Sequence, residues 1–347
     1  SAYVANNWEK TFEIEALTQT LPVGAYNGGV RTMSMCLWGA GRKVYQPEEG
    51  NSISGLAARD RMVVAAIGNK NKLLVIQDKN MPGFGLRHGN PIVPDNRSGT
   101  KVAEVPIEAP RGLAVTPDGG GLLAVSGTKV VRFPFPPQDQ PAVVVSQGLE
   151  KPAHLAVDTT GNIYVSDQGT HQVKVFSADG KPLRTIGKPG GPQLGPYDEQ
   201  RMANPAGLAI SADGRLWVAE NSEFPRRVSI WTLDGKFAKA LYGNCNYGGG
   251  GIVDTVDSTR AYVSQAFGVL QFRLDWKKGA SHLEAILELP DRRSLNAPGI
   301  VYHVPYNRVM GCALSHEGTR YLSSAYCTAP GGGSPRRAGS RSAGSGR

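Results

Sequence analysis

The chain has 347 residues, of which 44 are Gly and 24 Pro, with 40% hydrophobic and 19% charged residues. So much of two helix-breaking residues argues against a helical bundle and for many short elements joined by turns. The formal charge of +9 says little about partners, because residues 331–347 (GGGSPRRAGSRSAGSGR) hold four arginines and no acid, leaving +5 for the rest.

No apolar run reaches the ~18 residues of a membrane-crossing helix, so no span is expected. The four cysteines, Cys36, Cys245, Cys312 and Cys327, form no C-x-x-C pair, which leaves thioredoxin-type, ribbon-zinc and c-type haem sites without support. Sequence separation favours Cys312–Cys327 if a disulfide forms, and four buried thiols are the alternative. The chain opens on Ser1, which reads as a processed product or a piece of something longer.

In chain order, residues 1–50 are read as N-terminal strands, 51–329 as a repeat domain and 330–347 as a disordered Gly/Ser/Arg tail. The repeat is clearest in KPAHLAVDTTGNIYVSDQGTHQVKVFSADGKPL, Lys151 to Leu183, and NPAGLAISADGRLWVAENSEFPRRVSIWTLDGKF, Asn204 to Phe237. Each runs proline, short apolar strand, turn, second strand ending in an acid, then a third strand. A weaker copy is APRGLAVTPDGGGLLAVSGTKVVRF, Ala109 to Phe133, and degenerate copies begin near Gly55, Gly251 and Gly299.

The anchors Gly55, Gly112, His154, Gly207, Gly251 and Gly299 stand 57, 42, 53, 44 and 48 residues apart, room for four short strands and their turns. That is the length of one propeller blade. The expected fold is therefore all-β, a six-bladed β-propeller with seven blades as the other count. The last unit has room for about three strands. A strand from Thr11–Ala16 or Arg31–Trp38 is expected to complete it. Asp118-Gly119, Asp179-Gly180, Asp213-Gly214 and Asp234-Gly235 suit tight turns, since Gly and Asp tolerate positive φ.

In such a ring, the loop leading into each first strand shares a face with the loop after each second strand. That mouth face collects Arg111, His154 and Asn204 from the first kind. From the second it collects Asn69, Lys70, Asp167, Gln168, His171, Glu220, Asn221, Glu223, Gln265 and His316. The ligand-binding candidates are Arg111, His154, Asp167, Gln168, Glu220, Asn221, Gln265 and His316. His154 stands where neighbouring repeats have glycine. With Asp167 nearby it could serve as general base or metal ligand, or simply hydrogen-bond a carboxylate as part of the lining. The insertions at 80–107 and 186–204 are expected to overhang this face. Cys312, His316 and Cys327 would bind a metal only with a fourth ligand. Asp167, Glu220 and Glu223 would oppose phosphate, which argues against nucleic acid despite Arg111, Lys70, Lys72, Arg226 and Arg227.

On these repeats the chain resembles the NHL-repeat family of β-propellers, well over 151–243, fairly over 109–136 and weakly elsewhere. GPYDEQRMANPAGLAISADGRLWVAE, Gly195 to Glu220, is similar to NHL propellers of large secreted multidomain bacterial proteins. FEIEALTQTLPVGAY, Phe12 to Tyr26, is similar to the closing strands of the Ig-like modules that flank them. The resemblance implies a secreted setting and says little about activity; the reading adopted is an extracytoplasmic binding module for a protein, peptide or carbohydrate, with no cofactor predicted and a divalent metal possible.

The alternative is a propeller lyase or hydrolase using His154 and neighbouring carboxylates, with or without a divalent metal. Amidating lyases of this architecture place zinc histidines directly after the repeat proline, and calcium lactonases place Asn or Asp there. Here those positions hold Arg111, Ala153 and Ala206, which fit neither.

Overall fold

The structure is a computed structural model. It describes residues 2–8, 11–17, 41–45, 47–48, 50–79, 99–138, 140–222, 225–243, 251–254, 257–265, 268–287, 306–314 and 320–327. Among them the sole helical element is a 3-10 turn, Gly68–Lys70; all else is strand, turn or loop. Contacts divide the chain into two compact units, Ser1–Gly243 and Asn244–Arg347.

The first unit opens with a three-stranded sheet, β1 (Ala2–Trp8), β2 (Thr11–Leu17) and β3 (Gly41–Tyr45). Thr11–Ala16, one candidate closing strand, thus pairs with β1 and β3, while Arg31–Trp38 lies outside the described residues. Four antiparallel four-stranded sheets follow, each a meander in chain order. The first blade is β4 (Ile53–Arg59), β5 (Met62–Ile67), β6 (Lys72–Asp78) and β7 (Gly99–Pro106). The second is β8 (Pro110–Val115), β9 (Gly121–Ser126), β10 (Lys129–Pro134) and β11 (Ala142–Val145). The third is β12 (Pro152–Val157), β13 (Ile163–Asp167), β14 (Gln172–Phe176) and β15 (Pro182–Ile186). After a two-residue strand, β16 (Gly195–Pro196), come β17 (Pro205–Ile210), β18 (Arg215–Glu220), β19 (Arg227–Thr232) and β20 (Phe237–Tyr242) of the fourth.

These sheets stack face to face, and strand periodicity shows how. Successive side chains of a strand point to opposite faces. Accordingly Val63, Ala65 and Ile67 of β5 pack towards Val44 of the N-terminal sheet, while Val64 and Ala66 pack towards Leu122 and Phe133 of the second blade. In β9 Leu122 and Ala124 join that first interface, and Leu123 and Val125 join Leu155 and Ile163 of the third blade. Tyr164 faces the other way, to Leu216 and Trp231 of the fourth. Middle strands buried on both faces read as continuous apolar runs such as MVVAAI and GLLAVS. The outer strands β7 and β15 are mostly exposed.

In the second unit, β21 (Gly251–Val253), β22 (Arg260–Gln265), β23 (Gly268–Asp275) and β24 (Ala280–Leu287) pair in the same order. A hairpin of β25 (Tyr306–Leu314) and β26 (Arg320–Cys327) follows. The chain is an all-β propeller fold whose sheets fit six or seven blades.

The predicted Asp-Gly turns form as expected. Gly119, Gly180, Gly214 and Gly235 have φ of 72°, 84°, 71° and 98°. Each donates its N–H to the carbonyl three residues back, on Thr116, Ser177, Ser211 and Thr232. The hydroxyls of those four residues donate to Asp118, Asp179, Asp213 and Asp234. The carboxylates therefore brace turns.

Two expectations need correction. Residues 99–106 of the supposed first insertion are the outer strand β7, and 80–98 lie outside the described residues. In the β25–β26 ladder, Cys312 is opposite Leu322 and Cys327 opposite Tyr306. Five residues along a strand separate Leu322 from Cys327, roughly 17 Å at ~3.4 Å per residue. A disulfide needs Cα atoms within about 7 Å, so this register does not permit Cys312–Cys327. The same separation removes both cysteines from a shared metal site.

Candidate functional site

Strand register defines one end of the blades as the mouth end. Pro110 pairs with Ser126, Pro152 with Asp167 and Pro205 with Glu220, so each first strand begins where its second strand finishes. The Asp-Gly turns lie at the opposite end. The predicted grouping of loops on one face thus holds for the second to fourth blades.

Asp167 and Glu220, however, do not face solvent; both are buried. The Asp167 carboxylate accepts from the backbone N–H groups of Glu150 (3.0 Å), Lys151 (2.9 Å) and Gly169 (3.1 Å). It holds the loop before β12 onto the loop after β13, and no hydrogen bond joins it to His154. The expected His154–carboxylate pair is therefore not made by Asp167.

Glu220 accepts from Ala203 N–H at 2.6 Å, Arg227 Nε at 2.7 Å and the Ser229 hydroxyl at 2.7 Å. Burial pushes this carboxyl up from its ordinary value, and the Arg227 guanidinium and the other donors pull it back. Three donors on two oxygens fit the ionised form.

Arg227, one of the basic residues weighed for phosphate contact, is itself buried. Its fork continues beyond Glu220 to the carbonyls of Glu199 (3.1 Å) and Arg201 (2.9 Å) and to the Tyr197 hydroxyl. The guanidinium also sits over the Tyr197 ring, 5.6 Å from its centroid. Burial pushes the Tyr197 phenol up, so it stays neutral and able to donate. Ile186 of the expected 186–204 insertion ends β15, and the rest of the insertion is thus fastened to the fourth blade. Nothing in the repeat phrase announces this, although an Arg at the start of a third strand, seven residues after a strand-ending Glu, is the signal in retrospect.

His154 lies on β12 against Gly112 of β8. A Cβ on Gly112 would stand 2.4 Å from His154 Cα and 3.0 Å from its Cγ, so only glycine fits there. Burial holds the imidazole below its ordinary value, and Nδ1 is buried without a hydrogen-bond partner among the described residues. His154 is therefore neutral at pH 7. Arg111, half-buried on the adjacent strand, spans the same joint by donating to the Pro152 carbonyl at 3.0 Å.

Gln168 is half-exposed and its backbone N–H donates to the Lys151 carbonyl. Asn221 is exposed, with its N–H on the Asn204 carbonyl at 2.9 Å. The structure thus brings Arg111, His154, Gln168, Asn204 and Asn221 to the mouth end of three successive blades. Gln265 closes β22 in the second unit, and His316 and Glu223 lie outside the described residues. Buried Asp167 and Glu220 cannot oppose phosphate at this end, whereas Glu108 and Glu150 are exposed in the loops before β8 and β12. Among the described residues no three His, Cys, Asp or Glu side chains cluster as metal ligands would.

The NHL repeat profile matches residues 149–176, the strands and turn that carry His154 and Asp167. No curated protein matches the chain.

Among solved structures, one from a nidogen/laminin complex is 16% identical over 82% of this chain and 92% of its own, with TM-score 0.46. Virginiamycin B lyase from Staphylococcus aureus is 13% identical over 80% and 85%, with TM-score 0.41. Hydrazine synthase from Kuenenia stuttgartiensis is 15% identical over 80% and 75%, with TM-score 0.41.

Proposed function

We propose that this propeller is a binding module, extracytoplasmic, whose ligand is a protein, peptide or carbohydrate held at the mouth end by Arg111, His154, Gln168 and Asn221. One observation carries the reading. Asp167 and Glu220, the carboxylates that could have served acid–base chemistry beside His154, are buried and engaged by backbone and arginine donors, whereas the candidate residues Arg111, Gln168 and Asn221 present one guanidinium and two amides. Such groups recognise; they do not move protons at neutral pH.

Arg111 has one N–H on the Pro152 carbonyl, and the rest of its fork makes no hydrogen bond among the described residues. A forked donor beside amide groups suits ligand carbonyl, hydroxyl and carboxylate oxygens. The enzyme alternative needs a base partner for His154, and neither Asp167 nor Glu220 is placed to be one. The extracytoplasmic setting rests on the likeness of Gly195–Glu220 to secreted propellers.

The test is to probe peptide and glycan arrays with the full chain, then with Arg111→Ala and Asn221→Ala. A ligand of the mouth end should lose about tenfold or more in affinity in each variant, with the melting curve unchanged in Asn221→Ala. A saturable ligand indifferent to both substitutions would overturn the assignment of the face. Conversion of that ligand to a product would overturn the binding-module reading itself.

A further inference from the structure

The mouth end contains the same small device twice. At the first-to-second blade joint, Asn71 follows the loop after β5 in a left-handed conformation, φ 53°. Its side-chain Oδ1 accepts the backbone N–H of Ala109 at 2.8 Å. Ala109 immediately precedes Pro110 and is itself left-handed, φ 39°. At the third-to-fourth joint, His171 follows the loop after β13 with φ 60° and accepts the N–H of Asn204 through Nδ1 at 3.1 Å. Asn204 precedes Pro205, with φ 50°. The backbone geometry and the bond are the same, and only the acceptor differs. The intervening joint is built otherwise, since Lys151 donates its N–H to Asp167.

A left-handed non-glycine residue is costly and persists only where its surroundings hold it. The acceptor supplies that hold, and at Asn204 it also fixes the carbonyl that receives Asn221 N–H. The His171 ring is further confined by Gly191 of the insertion, where a Cβ would stand 3.1 Å from Nδ1. To accept, Nδ1 must carry no proton, so the neutral ring is the Nε2–H tautomer. Protonation turns the acceptor into a donor facing another donor. An amide oxygen undergoes no such change, and imidazole is the side chain whose charge changes between about pH 5 and 8.

We infer that His171 is an acid-released latch: protonation at Nδ1 frees Asn204, and with it the mouth-end backbone between the third and fourth blades, while the Asn71 latch stays closed. The charged groups on the elements packed around His171 do not restore the bond. On the insertion these are Glu199, Arg201, which donates to the Pro189 carbonyl, and the Lys188–Asp198 pair at 2.8 Å. Under the fourth blade it is the Glu220–Arg227 pair, and before β12 they are Glu150 and Lys151. None of them replaces the lost acceptor at Asn204 N–H. The inference is independent of which ligand the mouth end binds.

Amide hydrogen exchange on the full chain tests it, with rates corrected for the intrinsic pH effect and Ala109 as internal reference. As the pH is lowered, Asn204 protection should fall about tenfold relative to Ala109. His171→Asn, which copies the Asn71 latch, should keep Asn204 protected throughout. Imidazole nitrogen shifts at about pH 7.5 should show a bare Nδ1 and a protonated Nε2. Parallel behaviour of Asn204 and Ala109 in the parent would overturn the latch. So would an acid loss that persists in His171→Asn, or a proton on Nδ1.

Discussion

At the scale of single residues, the site turns on what the carboxylates do. Asp167 ends its strand as a Ser, Asp or Glu does in the second to fourth blades, a pattern visible in the repeat phrase. What the phrase does not reveal is that this position looks inward to backbone N–H groups, because strand alternation alone does not say which donors lie opposite. Asp167→Ala leaves three backbone donors without their acceptor and should cost about 2–3 kcal/mol in denaturant unfolding. A loss below about 0.5 kcal/mol would show that water replaces the carboxylate.

His154 makes a pH prediction whose sign follows from burial. Its imidazole is held below the ordinary value of 6.5, so the unfolded chain binds this proton more readily than the folded one. The contribution is fully present above about pH 6.5 and is lost as pH falls below it towards the lower folded value. Parent stability should therefore decline in that window more steeply than that of His154→Gln. Equal slopes would place the imidazole in water.

At the scale of elements, the blade joints set the tolerances. The first strands approach so closely that a Cβ on Gly55 would lie 2.1 Å from the Arg111 carbonyl oxygen, and one on Gly112 would lie 2.4 Å from His154 Cα. Gly55→Ala and Gly112→Ala should each destabilise by about 1–3 kcal/mol, because the obstructing atoms are backbone and cannot rotate away. Melting curves within about 2 °C of the parent would contradict that packing.

The insertion before β17 is the other element-scale case. Its Gly and Pro content reads as a long loop, yet Arg227 ties its carbonyls to the fourth blade. Arg227→Met leaves Glu220 buried without its counter-charge, a loss of about 3–5 kcal/mol. It should also open the insertion to limited proteolysis. Adding Glu220→Gln should recover much of the stability but not the protease resistance. Full recovery of both would mean that the carbonyl contacts contribute nothing.

At the scale of the whole molecule, the repeat is the legible part. Four meanders in the first unit and a fifth in the second follow the spacing of the anchors, because each blade is the shortest unit that buries both sheet faces against its neighbours. Less legible was pairing outside the repeat. Register in the last hairpin sets Cys312 and Cys327 apart, so a non-reducing peptide map should contain no Cys312–Cys327 linkage. Sequence separation misled there because it measures loop length and not position along a ladder.

Binding at the mouth end of the blades, as proposed, has a direct readout. That readout is hydrogen-exchange footprinting of the full chain with its best array ligand. Protection confined to the backbone around Arg111, His154, Gln168 and Asn221 is the predicted result. Protection at the Asp-Gly turns of the opposite end, or along the outer strands β7 and β15, would contradict it.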